Sequence, residues 1–163
     1  MLVIRPAAEL DLPGIREIYN DAILYSTATF DTDPKTIEQM HVWLQLHVGQ
    51  YPAIVAVENE QVLGWASLSR WSDRKAYDTT AEISFYVREG HRGKGIGKQL
   101  LEIITREGKT VGLRCILSRI TEGNPVSVHL HESLGYAMIG TIQDAGKKFD
   151  RYLSVQMMQV VFK

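Results

Sequence analysis

The chain has 163 residues, 45% of them hydrophobic and 23% charged, with a formal net charge of −1. That length is about one domain with apolar content for a sizeable core, and the near-zero charge provides no field to draw a nucleic acid or a membrane surface. A lone cysteine, Cys115, excludes an intrachain disulfide; set in an apolar run, it reads as an inert core thiol of a reducing compartment. At the N-terminus, Leu2 to Ile4 is interrupted by Arg5 and Pro6. No run approaches the apolar length of a leader or a membrane span, so a cytoplasmic protein is expected.

Taken in chain order, Leu2 to Arg5 reads as a short strand. Asp11 is a candidate N-cap with Pro13 in the first turn, and Leu12, Ile15, Ile18, Tyr19, Ala22 and Ile23 follow at helical spacing. A loop from Ser26 to Asp33 carries Thr29 and Phe30. Pro34 opens a second helix with Ile37, Met40, Leu44 and His47 on one face. Ala53–Val57 and Val62–Ser69 predict a hairpin around Glu58–Gln61. A polar loop, Arg70 to Thr79, leads to the strand Ala81–Val87. A glycine-rich turn and the amphipathic helix Ile96–Gly108 come next, then the strand Cys115–Ile120. Pro125–Leu134 is a short helix stopped by Gly135, and Tyr136–Ile142 and Tyr152–Val161 form a final strand pair. The order βααβββαβαββ predicts a single α/β (α+β) domain over residues 1–163, a mixed sheet with helices on its faces. No metal is expected: His129 and His131 diverge on their helix, His41 and His47 are six apart, and no cysteine or carboxylate cluster supplements them.

Most of the chemical information lies in Arg92-Gly93-Lys94-Gly95-Ile96-Gly97-Lys98. A glycine turn between strand and helix bares main-chain N–H groups at the positive end of the helix dipole, where a phosphate is held. Arg88, Arg92, Lys94 and Lys98 add charge around it. The turn is no Walker A loop, because Gly93 to Lys98 is one residue short and Gln99 stands where the magnesium-holding hydroxyl belongs. Nor does its G-x-G-x-G spacing fit the dinucleotide fingerprint. It meets R-x-x-G-x-G through Arg92, Gly95 and Gly97, and so resembles the coenzyme A loop of the GNAT N-acetyltransferases. The element order resembles that family along nearly the whole chain. Further stretches are similar to its phosphinothricin and methionine sulfoximine acetyltransferases: Ile18-Tyr19-Asn20, Thr29-Phe30, Trp71 to Glu82, Gly123-Asn124-Pro125, Leu134-Gly135-Tyr136 and Gly146-Lys147-Lys148-Phe149.

The resemblance implies the acyl-CoA N-acyltransferase fold, with a mixed, mainly antiparallel central sheet and helices on both faces. It implies acetyl-CoA as donor, a small amino-acid-like acceptor and a homodimer. It also implies a cofactor site formed by the main chain of Phe85, Tyr86 and Val87 and by Arg92, Gly93, Lys94, Gly95, Ile96, Gly97 and Lys98. The Val87 amide would polarise the acetyl carbonyl. Asn124 would cap the short helix and reach the pantetheine arm, with Ser127 one turn further on. Acceptor contacts fall on Phe30, Ser72, Asp73, Arg74, Tyr77, Glu82, Ile83 and Ser84, with Phe149, Lys148 and Arg151 approaching from the last hairpin. Arg74 brings the planar fork that suits a carboxylate, although Ser72 departs from the basic residue found in some relatives. By residue type alone Glu82 is a strand-surface carboxylate in a salt bridge. The resemblance makes it the general base. Tyr136 is left with two readings, acid for the leaving thiolate or core aromatic. An acetylase of protein N-termini or lysines, and a coenzyme A-binding module without catalysis, remain the competing functions.

Overall fold

The computed structural model describes residues Met1–Lys163. Its strands are β1 (Val3–Pro6), β2 (Ala53–Glu58), β3 (Gln61–Arg70), β4 (Thr80–Val87), β5 (Cys115–Thr121), β6 (Ala137–Lys148) and β7 (Arg151–Val161). Its helices are α1 (Leu12–Tyr25), α2 (Ile37–Gln45), α3 (Ile96–Thr110) and α4 (Pro125–Ser133). The strands form one seven-stranded sheet in the order β1-β2-β3-β4-β5-β7-β6. Every neighbouring pair is antiparallel except β4 and β5.

Two-residue alternation sends the apolar side chains of this sheet to two separate cores. Val55, Val62 and Trp65 pack against Leu12, Ile15 and Ile18 of α1 and Met40 of α2. On the opposite face Ile54, Ala56, Leu63, Leu68, Ala81 and Ile83 pack against Ile96, Leu100, Leu101 and Ile104 of α3. The expected mixed, mainly antiparallel sheet with helices on both faces is therefore what the chain forms. The β2–β3 hairpin turns through Asn59 and Glu60 at φ 49 and 64, the left-handed pair that matches strand twist.

Local details depart from the sequence reading. Helix α2 starts after Thr36, not at Pro34: Thr36 Oγ1 accepts from the Gln39 amide (3.2 Å) and Gln39 Oε1 accepts from the Thr36 amide (2.8 Å), a reciprocal cap. The helix ends at Gln45, which leaves His47 in the following turn. Strand β6 runs on to Lys148, beyond the expected Ile142, because register shifts between Met138 and Gly140 and between Ile142 and Gly146 absorb a stretch with no apolar alternation. Asp11 does not cap α1. It already lies in a helical turn at φ −86, ψ −15, whereas a cap requires an extended backbone. Its carboxylate, 2% exposed, turns back to accept from Arg5 Nη1 (2.7 Å), Arg5 Nη2 (2.8 Å) and the Ala8 amide (2.8 Å). Asp11→Ser, which keeps a capping side chain but not the ion pair, is expected to lower stability by about 1–3 kcal/mol in urea denaturation; a cap would have left it near wild type.

Candidate active site

Pairing between β4 and β5 covers only Thr80–Glu82 against Cys115–Leu117. Strand β4 stays bonded to β3 as far as Val87, and β5 to β7 as far as Thr121. The two strands therefore part beyond Glu82, and the β5-facing edge of Ile83–Val87 has no ladder partner. Main-chain donors and acceptors left bare in this way are a template for another extended, amide-bearing chain.

Helix α3 begins beyond the end of β4. Gly95 stands at its N-cap with φ 83 and supplies no capping side chain, so the first-turn amides have no partner within the chain. Gly93 has φ 75, and a Cβ at either glycine would meet nothing within 4 Å. These glycines are required by backbone conformation, not by crowding, and the space before the amides is open. A diphosphate fits there on donor chemistry: bare N–H groups, a helix dipole and the exposed Arg92, Lys94 and Lys98. Ile96 is core, 5% exposed, and offers its amide alone. Arg88 is engaged elsewhere: its Nε donates to Val62 O (2.8 Å) and its Nη1 pairs with Glu17 (3.0 Å).

On β4 the even-numbered side chains Glu82, Ser84 and Tyr86 share the α1 face, and Ile83 and Phe85 turn to the α3 side. Ile83 can thus offer only main chain to an acceptor. Tyr86 packs on Trp65 (5.1 Å) and Tyr19 (5.2 Å), and its hydroxyl donates to Ala28 O (3.4 Å). Burial raises its pKa and keeps it neutral. Glu82 lies where the strands part. Both its oxygens accept from Arg119 of β5, from Nε at 2.5 Å and Nη2 at 2.8 Å, and the guanidinium sits 5.1 Å from the Trp71 ring. The charge-assisted pair raises the Arg119 pKa. Arg119 is absent from the sequence-derived set. Its one signal is a charge inside the apolar run Cys115–Thr121.

The remaining residues expected to meet an acceptor lie on the segment 72–77, on the α1–α2 loop and on the last hairpin. Ser72 Oγ accepts from the Arg74 amide (3.3 Å), Asp73 and Arg74 are exposed, and Tyr77, 43% exposed, stands in a short 3-10 turn. Phe30 lies against Gly146, where any Cβ would strike its ring. Lys148 does not reach toward a ligand. It is buried, and its Nζ donates to Thr29 O (2.8 Å), tying the α1–α2 loop to the last hairpin. Phe149 and Arg151 are exposed at the turn of that hairpin.

Asn124 Oδ1 accepts from the Ser127 amide (3.2 Å) and caps α4. Tyr136 is 3% exposed, and its hydroxyl shares a hydrogen bond with Thr105 of α3 (2.9 Å). Beside it His131, 1% exposed, donates from Nδ1 to Ser127 O (2.7 Å), so Nε2 is the acceptor for the Ser118 hydroxyl (2.9 Å). Burial lowers the His131 pKa, and that of His47 as well. As pH falls through about 6.5 the unfolded histidines take up protons first, so this part of the stability is present above that pH and lost below it. The urea midpoint is expected to fall between pH 7.5 and 5.5, and less steeply in His131→Gln.

Residues 15–136 match the model of the acetyltransferase (GNAT) family. The chain is 38% identical over 159 residues to an L-methionine sulfoximine/L-methionine sulfone acetyltransferase of Pseudomonas aeruginosa, covering 96% of this chain and 92% of that one. It is 34% identical over 156 residues to a phosphinothricin N-acetyltransferase of Streptomyces coelicolor, covering 93% and 91%. The structure of yncA from Salmonella typhimurium with its cofactor acetyl-CoA superposes with a TM-score of 0.97 at 32% identity, covering 100% of this chain and 95% of that one. The parted strands, the uncapped glycine turn and these matches agree: the chain belongs to the GNAT family of acetyltransferases.

Proposed function

We propose that this protein moves the acetyl group of acetyl-CoA to the α-amine of a small zwitterionic amino acid or analogue, with phosphinothricin and methionine sulfoximine or sulfone as the acceptors to test. The observation that carries the reading is the position of Glu82, a carboxylate at the point where β4 leaves β5, on the same strand whose bare edge leads to the α3 cradle. The relatives' names supply the acceptor class.

Acetyl-CoA supplies the thioester carbonyl. Gly93 to Lys98 hold its diphosphate through main-chain N–H groups, with Arg92, Lys94 and Lys98 adding charge. The open edge of Phe85–Val87 would pair with the amides of the pantetheine arm, and the Val87 N–H would serve as the preorganised donor that stabilises negative charge developing on the acetyl oxygen. Asn124 and Ser127, at the start of α4, would contact the pantetheine arm near its sulfur. Glu82, directly or through water, takes a proton from the arriving ammonium. That costs about 1.4 kcal/mol at pH 7 for an amine of pKa about 8. The neutral amine then forms the N–C bond as the C–S bond breaks, and its second proton leaves with the thiolate. Tyr136 takes no part, since its hydroxyl is committed to Thr105 inside the core. Phe30, Ser72, Asp73, Arg74, Tyr77 and Ser84 surround the acceptor, and Ile83 contributes main chain.

We place the enzyme in the cytoplasm as a homodimer. No helix is long and apolar enough to cross a membrane. Strand β6 is an open sheet edge with Met138, Ile139 and Ile142 exposed by 42%, 53% and 49%, an apolar edge that a second copy would cover.

A thiol-release assay over amino acids and analogues tests the activity. Glu82→Gln is expected to lose about 10²–10⁴ of kcat/KM at pH 7 and to recover as pH rises past the amine pKa. Full activity in this variant at every pH would remove Glu82 as base. Acetyl-CoA binding with no amino-acid turnover would instead favour a protein acetylase or a non-catalytic module. Light scattering is expected to give the mass of two chains, and Ile139→Lys the mass of one.

A further inference from the structure

Strand β5 carries Leu117 and Arg119 on the face shared by Glu82, and the β4–β5 ladder stops at Glu82–Leu117. Arg119 therefore stands one alternation past the last pair, beside a gap. Its side chain crosses that gap to Glu82 with the whole fork, Nε to one oxygen (2.5 Å) and Nη2 to the other (2.8 Å). The pair is not sealed in: the Arg119 side chain is 53% exposed and that of Glu82 22%. Trp71, from the acceptor loop, lies 5.1 Å from the guanidinium and fixes its plane.

This geometry sets a problem for the proposed base. With one acceptor site on each oxygen taken by Arg119, Glu82 meets an arriving ammonium in competition with the guanidinium. It also suggests the solution. An amino acid carries an ammonium and a carboxylate on one carbon, and the Glu82–Arg119 pair offers one anion and one cation side by side. Each charge of the ligand matches one charge of the pair.

We propose that Arg119 is the residue that binds the acceptor's α-carboxylate, and that the Glu82–Arg119 ion pair is the resting form of the acceptor site, opened by exchange with the zwitterion. The proposal deepens the amino-acid reading above and rests on it. On exchange Arg119 trades one carboxylate for another and keeps its bidentate partner. Glu82 is released to face the ammonium whose proton it takes. An amine without an adjacent carboxylate must break the pair and give Arg119 nothing in return, so the site discriminates against lysine side chains and simple amines. Arg74, the sequence-based choice for this role, is exposed in its loop and forms no ion pair.

The test is steady-state thiol release with methionine sulfone and with its carboxamide, which has the same amine and no carboxylate. It uses wild type, Arg119→Gln, Arg119→Lys and Arg74→Gln. Wild type is expected to show a KM for the acid about ten- to a hundredfold below that for the amide, the range of one charge-assisted bidentate contact. Arg119→Gln is expected to raise the KM for the acid by that factor without raising the KM for the amide, so that discrimination disappears. Arg119→Lys keeps the charge without the fork and is expected to fall between; it carries the test if thermal melting shows Arg119→Gln unfolded. Equal losses for acid and amide in the Arg119 variants, an unchanged KM for the acid, or discrimination lost in Arg74→Gln instead would overturn the proposal and leave the amino-acid reading standing. A wild type that binds acetyl-CoA and acetylates neither compound would overturn both.

Discussion

The parting of two parallel strands after three residues is the constraint on which the rest of this structure depends. β4 is tied along its length to β3, and β5 to β7, so each follows its own partner as the sheet twists. Close packing keeps α3 with β3 and β4. A Cβ at Gly64 would come within 2.9 Å of Leu100 Cδ1 and 3.0 Å of Tyr86 O, while Gly97 lies over Phe85 and Val87. The first turn of α3 is thereby aligned with the widening gap. One arrangement provides an unpaired strand edge, a set of free helix amides and a carboxylate at the vertex.

The two faces of the sheet divide the work. The α3 face is closed by Leu100, Leu101, Ile104 and Ile116, all fully buried, and its polar groups are satisfied internally, Tyr136 by Thr105 and His131 by Ser118 and Ser127. Unpaired, these groups would each cost free energy in the core; paired, they order it. The α1 face combines a packed cluster with the part-exposed Glu82–Arg119 pair. Tyr19 packs edge-on against Trp65 and Tyr86, which lie tilted on each other, and Lys148 ties the α1–α2 loop to the last hairpin through Thr29. Phe30 lies against Gly146, and Arg119 and Trp71 stand beside the Glu82 vertex.

What was legible in the sequence is what short-range patterns encode. The glycine turn, its basic flank and its place between strand and helix can all be read within Arg88 to Lys98, because helix-terminus chemistry is local. Helical and strand periodicity gave the element order for the same reason. Asp11 looked like a cap because its neighbours fit one, but its backbone is already helical and its carboxylate turns back to Arg5 and the Ala8 amide. The later part of β6 hid behind Gln143 to Lys147, whose pairing with β7 depends on two register shifts and not on propensity. The Glu82–Arg119 pair joins residues 37 apart across a parallel ladder, and no local signal sets that register. Arg88 and Lys148 show the converse: as bare cations both suggest ligand contacts, and both are spent on holding the fold.

The central claim is that the β5-facing edge of Ile83–Val87 and the amides of Gly93–Lys98 together form the acyl-donor site. Amide hydrogen exchange with and without acetyl-CoA tests it most directly, since the N–H groups of this edge and of the turn have no main-chain partner in the free chain, although the Val87 carbonyl accepts from Arg92 Nε (3.3 Å), and they would gain one in the complex. The account predicts fast exchange at the β5-facing amides of Ile83–Val87 and at Gly93–Lys98 in the free chain, with the β3-bonded amides of the same strand slow, and strong protection of both sets, with the α4 N-terminus near Asn124, once acetyl-CoA is added. Protection confined to other regions, or slow exchange at these amides without the donor, would contradict it.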